Sequence, residues 1–184
     1  MELRPVDPER ITLHAAVAIG LLAAEHVAPL LLPRAQVYAL VQETLAANWS
    51  WMETREPELG ALYWSTMGRL IEQDSAMPGD PLLPALHCVL YSQSYFYWTG
   101  DAIIRNESPG TFVSLGNDIA EVDESYLTQC LEHAVAVSPR PAETAAWLNG
   151  LIERMEREHP VTPDSFVGAR IRRAAFEIPP AVPC

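Results

Sequence analysis

Lysine is absent from this chain of 184 residues, and all twelve of its basic side chains are arginine. Cysteine is scarce as well: there are three residues, widely spaced, with no Cys-x-x-Cys pair. This spacing argues against a disulfide framework and against a cysteine zinc site. It favours a reducing compartment, so we expect the protein to be cytoplasmic.

Histidine ligands at metal-binding spacing are also lacking. The five histidines include no His-x-x-x-His pair, and three of them directly follow a glutamate, at positions 26, 133 and 159. Neighbouring residues on a helix point about 100° apart, so one ion cannot easily bind both side chains of such a pair. We therefore expect no metal or other cofactor, and a small helical-bundle metal-dependent enzyme is kept as an alternative.

Catalytic motifs for nucleophiles and phosphates are missing too. The chain has no Gly-x-Ser-x-Gly turn and no glycine-rich phosphate loop. Ser92 and Cys88 lie near His87, but the amides of a helix interior are already bonded and cannot stabilise an oxyanion. We therefore expect that the protein is not an enzyme.

The longest apolar run, residues 13–32, has the length of a membrane span. Glu25, His26 and Pro29 interrupt it, which makes insertion into a bilayer expensive. The acidic residues that precede it do not fit a secretory signal. We expect a buried first helix and no membrane partner.

Helix signals recur along the chain, whereas alternating strand patterns do not. Asp7 is the predicted cap of a first helix that ends near residue 27, and Pro33 opens a second one on which Trp49 continues the apolar stripe. A third helix is expected from Pro57, with Leu70 and Ile71 both included in its apolar pattern. Further helices are expected from residue 80 toward 104, from 123 and over 141–159, with a long loop at 106–121.

This pattern predicts an all-α fold, a single-domain bundle of about six helices over residues 1–177. Residues 178–184 contain three prolines, which cannot continue a helix, so they are expected to form an extended C-terminal tail.

Charge is strongly segregated along the chain. Residues 70–139 contain ten acidic side chains and one arginine, which gives a net charge of −9, out of −12 for the whole chain. Such a surface repels nucleic acid and anionic lipid and attracts basic proteins. We expect the binding surface to include Asp118, Glu121, Asp123 and Glu124, which fall within seven residues. The alternative is a solvated face that keeps the protein soluble.

Trp51 is a further candidate for partner binding. It lies off the apolar stripe of its helix, beside Glu53, and exposed tryptophan is enriched at binding hot spots.

Three segments carry a resemblance to a known group of proteins: Asn-Trp-Ser-Trp-Met-Glu at 48–53, Trp-Thr-Gly-Asp-Ala at 98–102 and Val-Asp-Glu-Ser-Tyr-Leu at 122–127. Over residues 34–160 the chain resembles small, acidic, all-helical immunity proteins, which bacteria encode beside polymorphic or type VI-delivered toxins. The resemblance implies a cytoplasmic inhibitor that binds one cognate toxin. The toxin contacts that it implies are Asp101, Glu121, Asp123 and Glu124.

Charge and resemblance together favour an immunity protein against a nuclease toxin. A nuclease presents a basic active-site cleft to its substrate, and an acidic inhibitor can occupy such a cleft. A homodimer, in which the protein is a structural or regulatory subunit, is a further alternative. No nucleic-acid partner is expected.

Overall fold

A computed structural model describes residues 2–7, 9–54, 66, 68–97, 124–163, 168–179 and 181, without the side chains of 51, 93–97, 124 and 125. Within this part the chain forms six α-helices and no strand, and Ile11 and Pro160 form an isolated bridge. The helices are α1 (Leu13–Val27), α2 (Ala35–Thr54), α3 (residues 66 and 68–75), α4 (Leu83–Tyr97), α5 (Glu124–Val137) and α6 (Pro141–Glu158). The prediction of an all-α bundle is confirmed.

Helix α1 lies at the centre of the bundle because its surface is apolar on nearly every side. Fourteen of its fifteen residues are buried, and it contacts α2, α4, α5 and α6. The stretch Leu13–Leu31 has the length and composition of a membrane span, but 83% of it is buried among the other helices. The prediction of a buried first helix is therefore confirmed.

Gly20 lets three helices meet closely in the middle of the bundle. A Cβ atom at this position would lie 3.3 Å from Cδ1 of Leu127 on α5 and 3.4 Å from Cα of Ser92 on α4. Nearby, Sγ of Cys130 lies 3.8 Å from the carbonyl oxygen of Gly20. A small residue at this crossing allows α4 and α5 to pack against α1 and against each other.

Two details of the predicted helices are wrong. The first helix begins at Leu13, because Asp7 forms a separate turn in which its Oδ1 accepts the amide of Glu9. The amide of Thr12 then bonds the carbonyl of His159, so the chain enters α1 from a contact with the end of α6. Ile71 on α3 is 52% exposed, since the buried face of that helix passes through Leu70 instead.

The C-terminal segment packs back onto the bundle. Ile171, Phe176 and Ala181 are buried, and Cζ of Arg154 on α6 lies 4.6 Å from the centre of the Phe176 ring. The amide of Ala181 donates to the carbonyl of His26 at the end of α1. The described residues of the proline-rich tail therefore lie against α1.

Candidate functional site

The residues predicted to bind the partner lie largely outside the described part of the chain. This applies to Asp101, Asp118, Glu121 and Asp123, while Glu124 opens α5 and Trp51 lies in the last turn of α2. The side chains of the last two are not described either. Binding by these six residues stays a prediction.

Four other carboxylates of the acidic segment are described. Asp80 accepts the amide of Leu82 and pairs with Arg34, whose Nη2 lies 2.5 Å from Oδ2. Both bonds lower the pKa of Asp80, and the bond from the amide of Leu82 has the larger effect. Glu72 on α3 and Glu132 on α5 are exposed.

Most of the described arginines form ion pairs with carboxylates that lie outside residues 70–139. Eight arginines form ion pairs with carboxylates: Arg4, Arg10, Arg34, Arg69, Arg140, Arg154, Arg157 and Arg173. Among these pairs, that of Arg34 with Asp80 is the one that reaches residues 70–139. Of the four carboxylates described in residues 70–139, Asp80 is thus the one with an arginine partner, and Asp74 is bonded to His87.

Four aromatic rings from α4 and α5 form a cluster that we call the aromatic face: His87, Tyr91, Tyr126 and His133. The Tyr91 ring stacks on His133 with a centroid distance of 5.5 Å and an interplanar angle of 20°. Tyr126 lies 5.7 Å from Tyr91, and His87 lies 5.3 Å from His133. Because α4 and α5 share the most extensive helix contact, the rings are held on a rigid support.

One carboxylate contacts the aromatic face. Nε2 of His87 lies 2.7 Å from Oδ1 of Asp74, which fixes that ring, and the exposed Glu132 precedes His133 on α5. Burial lowers the pKa of His133, and the neighbouring His87 lowers it further, against the opposing effect of Glu132. The His133 ring is therefore mostly uncharged near pH 7.

No pattern in the sequence indicates the aromatic face. Tyr91 and Tyr126 are 35 positions apart along the chain and on different helices, so no spacing rule connects them. In the sequence, the adjacent Glu132-His133 pair resembles only a possible pair of metal ligands. In the described part of the chain, no group of three or more potential metal ligands converges.

A second polar cluster surrounds His26, at the junction of α1, α6 and the C-terminal segment. Its Nδ1 donates to the carbonyl of Pro179 at 2.5 Å, and its Nε2 lies 3.0 Å from Oγ1 of Thr144. That hydroxyl lies 2.8 Å from Oγ of Ser138, and the His26 ring packs 4.9 Å from the ring of Trp147. A cavity of about 160 Å³ adjoins these side chains.

The His26 cluster is a structural connection. Its three polar side chains are all buried, and each of them is bonded within the cluster. Burial lowers the pKa of His26, so the ring is mostly neutral near pH 7 and uses one nitrogen as donor and the other as acceptor. This arrangement ties the C-terminal segment to α1 and α6.

Comparisons with models of protein families, with curated proteins and with solved structures gave no match to this chain.

Proposed function

We propose that this protein is a bacterial immunity protein that binds and neutralises a cognate toxin, with a nuclease as the favoured target. The observation that supports this most is the charge segregation. Residues 70–139 carry a net charge of −9, out of −12 for the whole chain, and two of the carboxylates described there, Glu72 and Glu132, are exposed. A basic protein surface is the partner that such a segment attracts most strongly.

The physical advantage of this surface is speed of association. Nuclease domains carry positive charge around the cleft that binds the phosphodiester backbone, and an acidic inhibitor is steered toward that cleft by the long-range field. Steering can raise association to about 10⁸ M⁻¹s⁻¹ or more at low salt. An inhibitor that must reach the toxin before nucleic acid does benefits directly from this rate.

The first test is protection in cells. The chain and the protein encoded by the adjacent gene are expressed together in a bacterium, and growth is compared with expression of the neighbour alone. We expect the neighbour to stop growth and this chain to restore it. A neighbour that is harmless, or a toxic neighbour that this chain does not neutralise, would contradict the proposed function.

The second test concerns the acidic segment itself. Reversal of Glu121 and Asp123 to arginine should weaken binding to the neutralised toxin by at least about tenfold, since close charge pairs across interfaces contribute about 1.5 kcal/mol or more. Thermal stability should change little. In the matched control, Glu9 and Glu177, two exposed carboxylates outside the segment, are replaced by arginine. This control changes the net charge by the same amount. Equal effects of the two double variants would show that no local surface is involved.

A further inference from the structure

Two cysteines from different helices meet in the core of the bundle. Sγ of Cys88 on α4 lies 3.6 Å from Sγ of Cys130 on α5, and both residues are fully buried. They are 42 positions apart in the sequence, so the packing of α4 against α5 is what brings them together. The proposed function depends on an acidic surface and makes no use of this pair.

The surrounding helices hold the two sulfur atoms close to each other. Among the described helices, α4 and α5 share the most extensive contact, and both approach α1 closely at Gly20. The S–S distance of a disulfide is about 2.05 Å, so the two sulfur atoms would have to come about 1.5 Å closer. Small rotations about the Cα–Cβ bonds of the two cysteines can supply a movement of this size.

Loss of the two S–H groups would leave no buried polar group without a partner. The thiol of Cys130 donates weakly to the carbonyl of Gly20, at a distance of 3.8 Å, and the thiols otherwise contact each other. Gly20 lies within α1, so its carbonyl also takes part in the hydrogen bonds of that helix. A disulfide is uncharged, and the core can therefore accept it without burying a charge.

We propose that Cys88 and Cys130 are a site of disulfide formation, which joins α4 to α5 in an oxidising compartment and remains two thiols in a reducing one. The oxidant is a low-molecular-weight disulfide. One cysteine thiolate attacks a sulfur of this disulfide and releases the first small thiol. The second cysteine then attacks the mixed disulfide and releases the other small thiol. Two electrons pass from the cysteines to the oxidant, and the two protons of the cysteine thiols end on the small thiols.

The folded core controls when this reaction can occur. Burial raises the pKa of Cys88, so its thiol stays protonated, and the oxidant cannot reach either sulfur through the packed helices. The bond therefore forms while the chain folds or during an opening of the bundle. Once formed, it is shielded from reductants in the same way.

The bond would constrain the part of the chain in which the partner contacts are predicted. Residues 89–129 lie between the two cysteines and include all the acidic residues predicted to bind the partner. A cross-link that closes a loop of this length lowers the entropy of the unfolded chain and so stabilises the fold. It also fixes the two ends of this segment relative to each other.

The test follows refolding in the presence or absence of an oxidant. The full-length chain with Cys184→Ser is unfolded in urea and refolded either with oxidised glutathione or with a reducing agent. We expect the oxidised sample to be a monomer with no free thiol and with a mass lower by two hydrogen atoms. Its midpoint of thermal unfolding should be about 5–15 °C higher than that of the reduced sample.

The matched control is the same chain with Cys88→Ala and Cys130→Ala. It has no thiol, so it should unfold at the same temperature in both solutions, whatever its absolute stability. Thiols that remain free or carry glutathione after oxidative refolding would overturn the inference. A bond that forms but leaves the midpoint unchanged or lowers it would do so as well, because the fold would then not accommodate the bond. None of these results depends on a toxin, so the proposed function is decided separately by the neutralisation test.

Discussion

Glu25 on α1 and Arg173 in the C-terminal segment form an ion pair in which Nε of the arginine lies 2.6 Å from Oε2 of the glutamate. The other carboxylate oxygen of Glu25 accepts the indole N–H of Trp49 on α2. Arg173 also donates from its backbone to Glu53 and from its guanidinium to the carbonyl of Phe176. One acidic residue in an apolar helix thus connects α1, α2 and the end of the chain.

Replacement of Glu25 by glutamine should destabilise the protein. The amide keeps the shape of the side chain but leaves Arg173 without its charged partner, and we expect a loss of about 1–2 kcal/mol in the free energy of unfolding. Urea denaturation measures this loss. The control is Glu43→Gln, which breaks the exposed pair with Arg69 and should cost less than about 0.5 kcal/mol. A larger loss in the control than in Glu25→Gln would contradict the structural role of the pair.

Much of the fold could be predicted because residues close together in the sequence determine where several helices begin. Pro141 opens α6 at the first helical position, and Asp80 accepts the amide of Leu82 just before α4. Trp49 is buried on the apolar stripe where the pattern placed it. Such signals depend on residues a few positions apart, which a sequence shows directly.

The sequence is least informative where distant segments meet. It predicts Asp7 as the cap of α1, but the helix begins only after Thr12, whose amide bonds the carbonyl of His159 at the end of α6. The aromatic face likewise depends on the packing of α4 against α5, and the role of Arg173 depends on Glu25, 148 positions away. Spacing rules apply to one helix at a time and do not predict which side chains of different helices come into contact.

Substitution of two glycines should give opposite effects on stability. Gly168 has a φ of +82°, and a Cβ atom there would lie 2.3 Å from Oγ1 of Thr12, so Gly168→Ala should lose about 1–3 kcal/mol. Gly150 lies within α6 with open space around it, so Gly150→Ala should gain about 0.5–1 kcal/mol. Thermal unfolding of both variants checks the contrast. A stabilised Gly168→Ala would disprove the close approach of the C-terminal segment to Thr12.

The thiols of Cys88 and Cys130 should be unreactive in the folded protein. Their Sγ atoms lie 3.6 Å apart in the core, and burial, followed by the adjacent thiol, raises the pKa of Cys88. Because the thiolate is the reactive form, a disulfide reagent at pH 8 should modify this pair only at the rate of unfolding. A Cys184→Ser background leaves these two thiols as the only ones in the chain. Rapid modification without denaturant would contradict their burial.

Stability should decrease as the pH falls below about 6.5. The pKa values of His26, His133 and His159 are all lowered in the folded protein, chiefly by burial. The unfolded chain therefore binds more protons than the folded one in this range, and acidification favours unfolding. At about pH 7.5 and above the three rings are almost fully neutral in both states, and their contribution is constant. Urea denaturation at pH 7.5 and 5.5 should reveal the difference.

The histidine effect can be separated from acid effects on carboxylates. Asp80 and Glu158 have lowered pKa values as well, so their contribution is lost at pH values below about 4.5, outside the range compared. His26→Phe removes one of the three titrating rings and should reduce the difference in unfolding free energy between pH 7.5 and 5.5, whatever its effect on absolute stability. A protein that is equally stable at both pH values would show that the three rings are not protected from protonation by the fold.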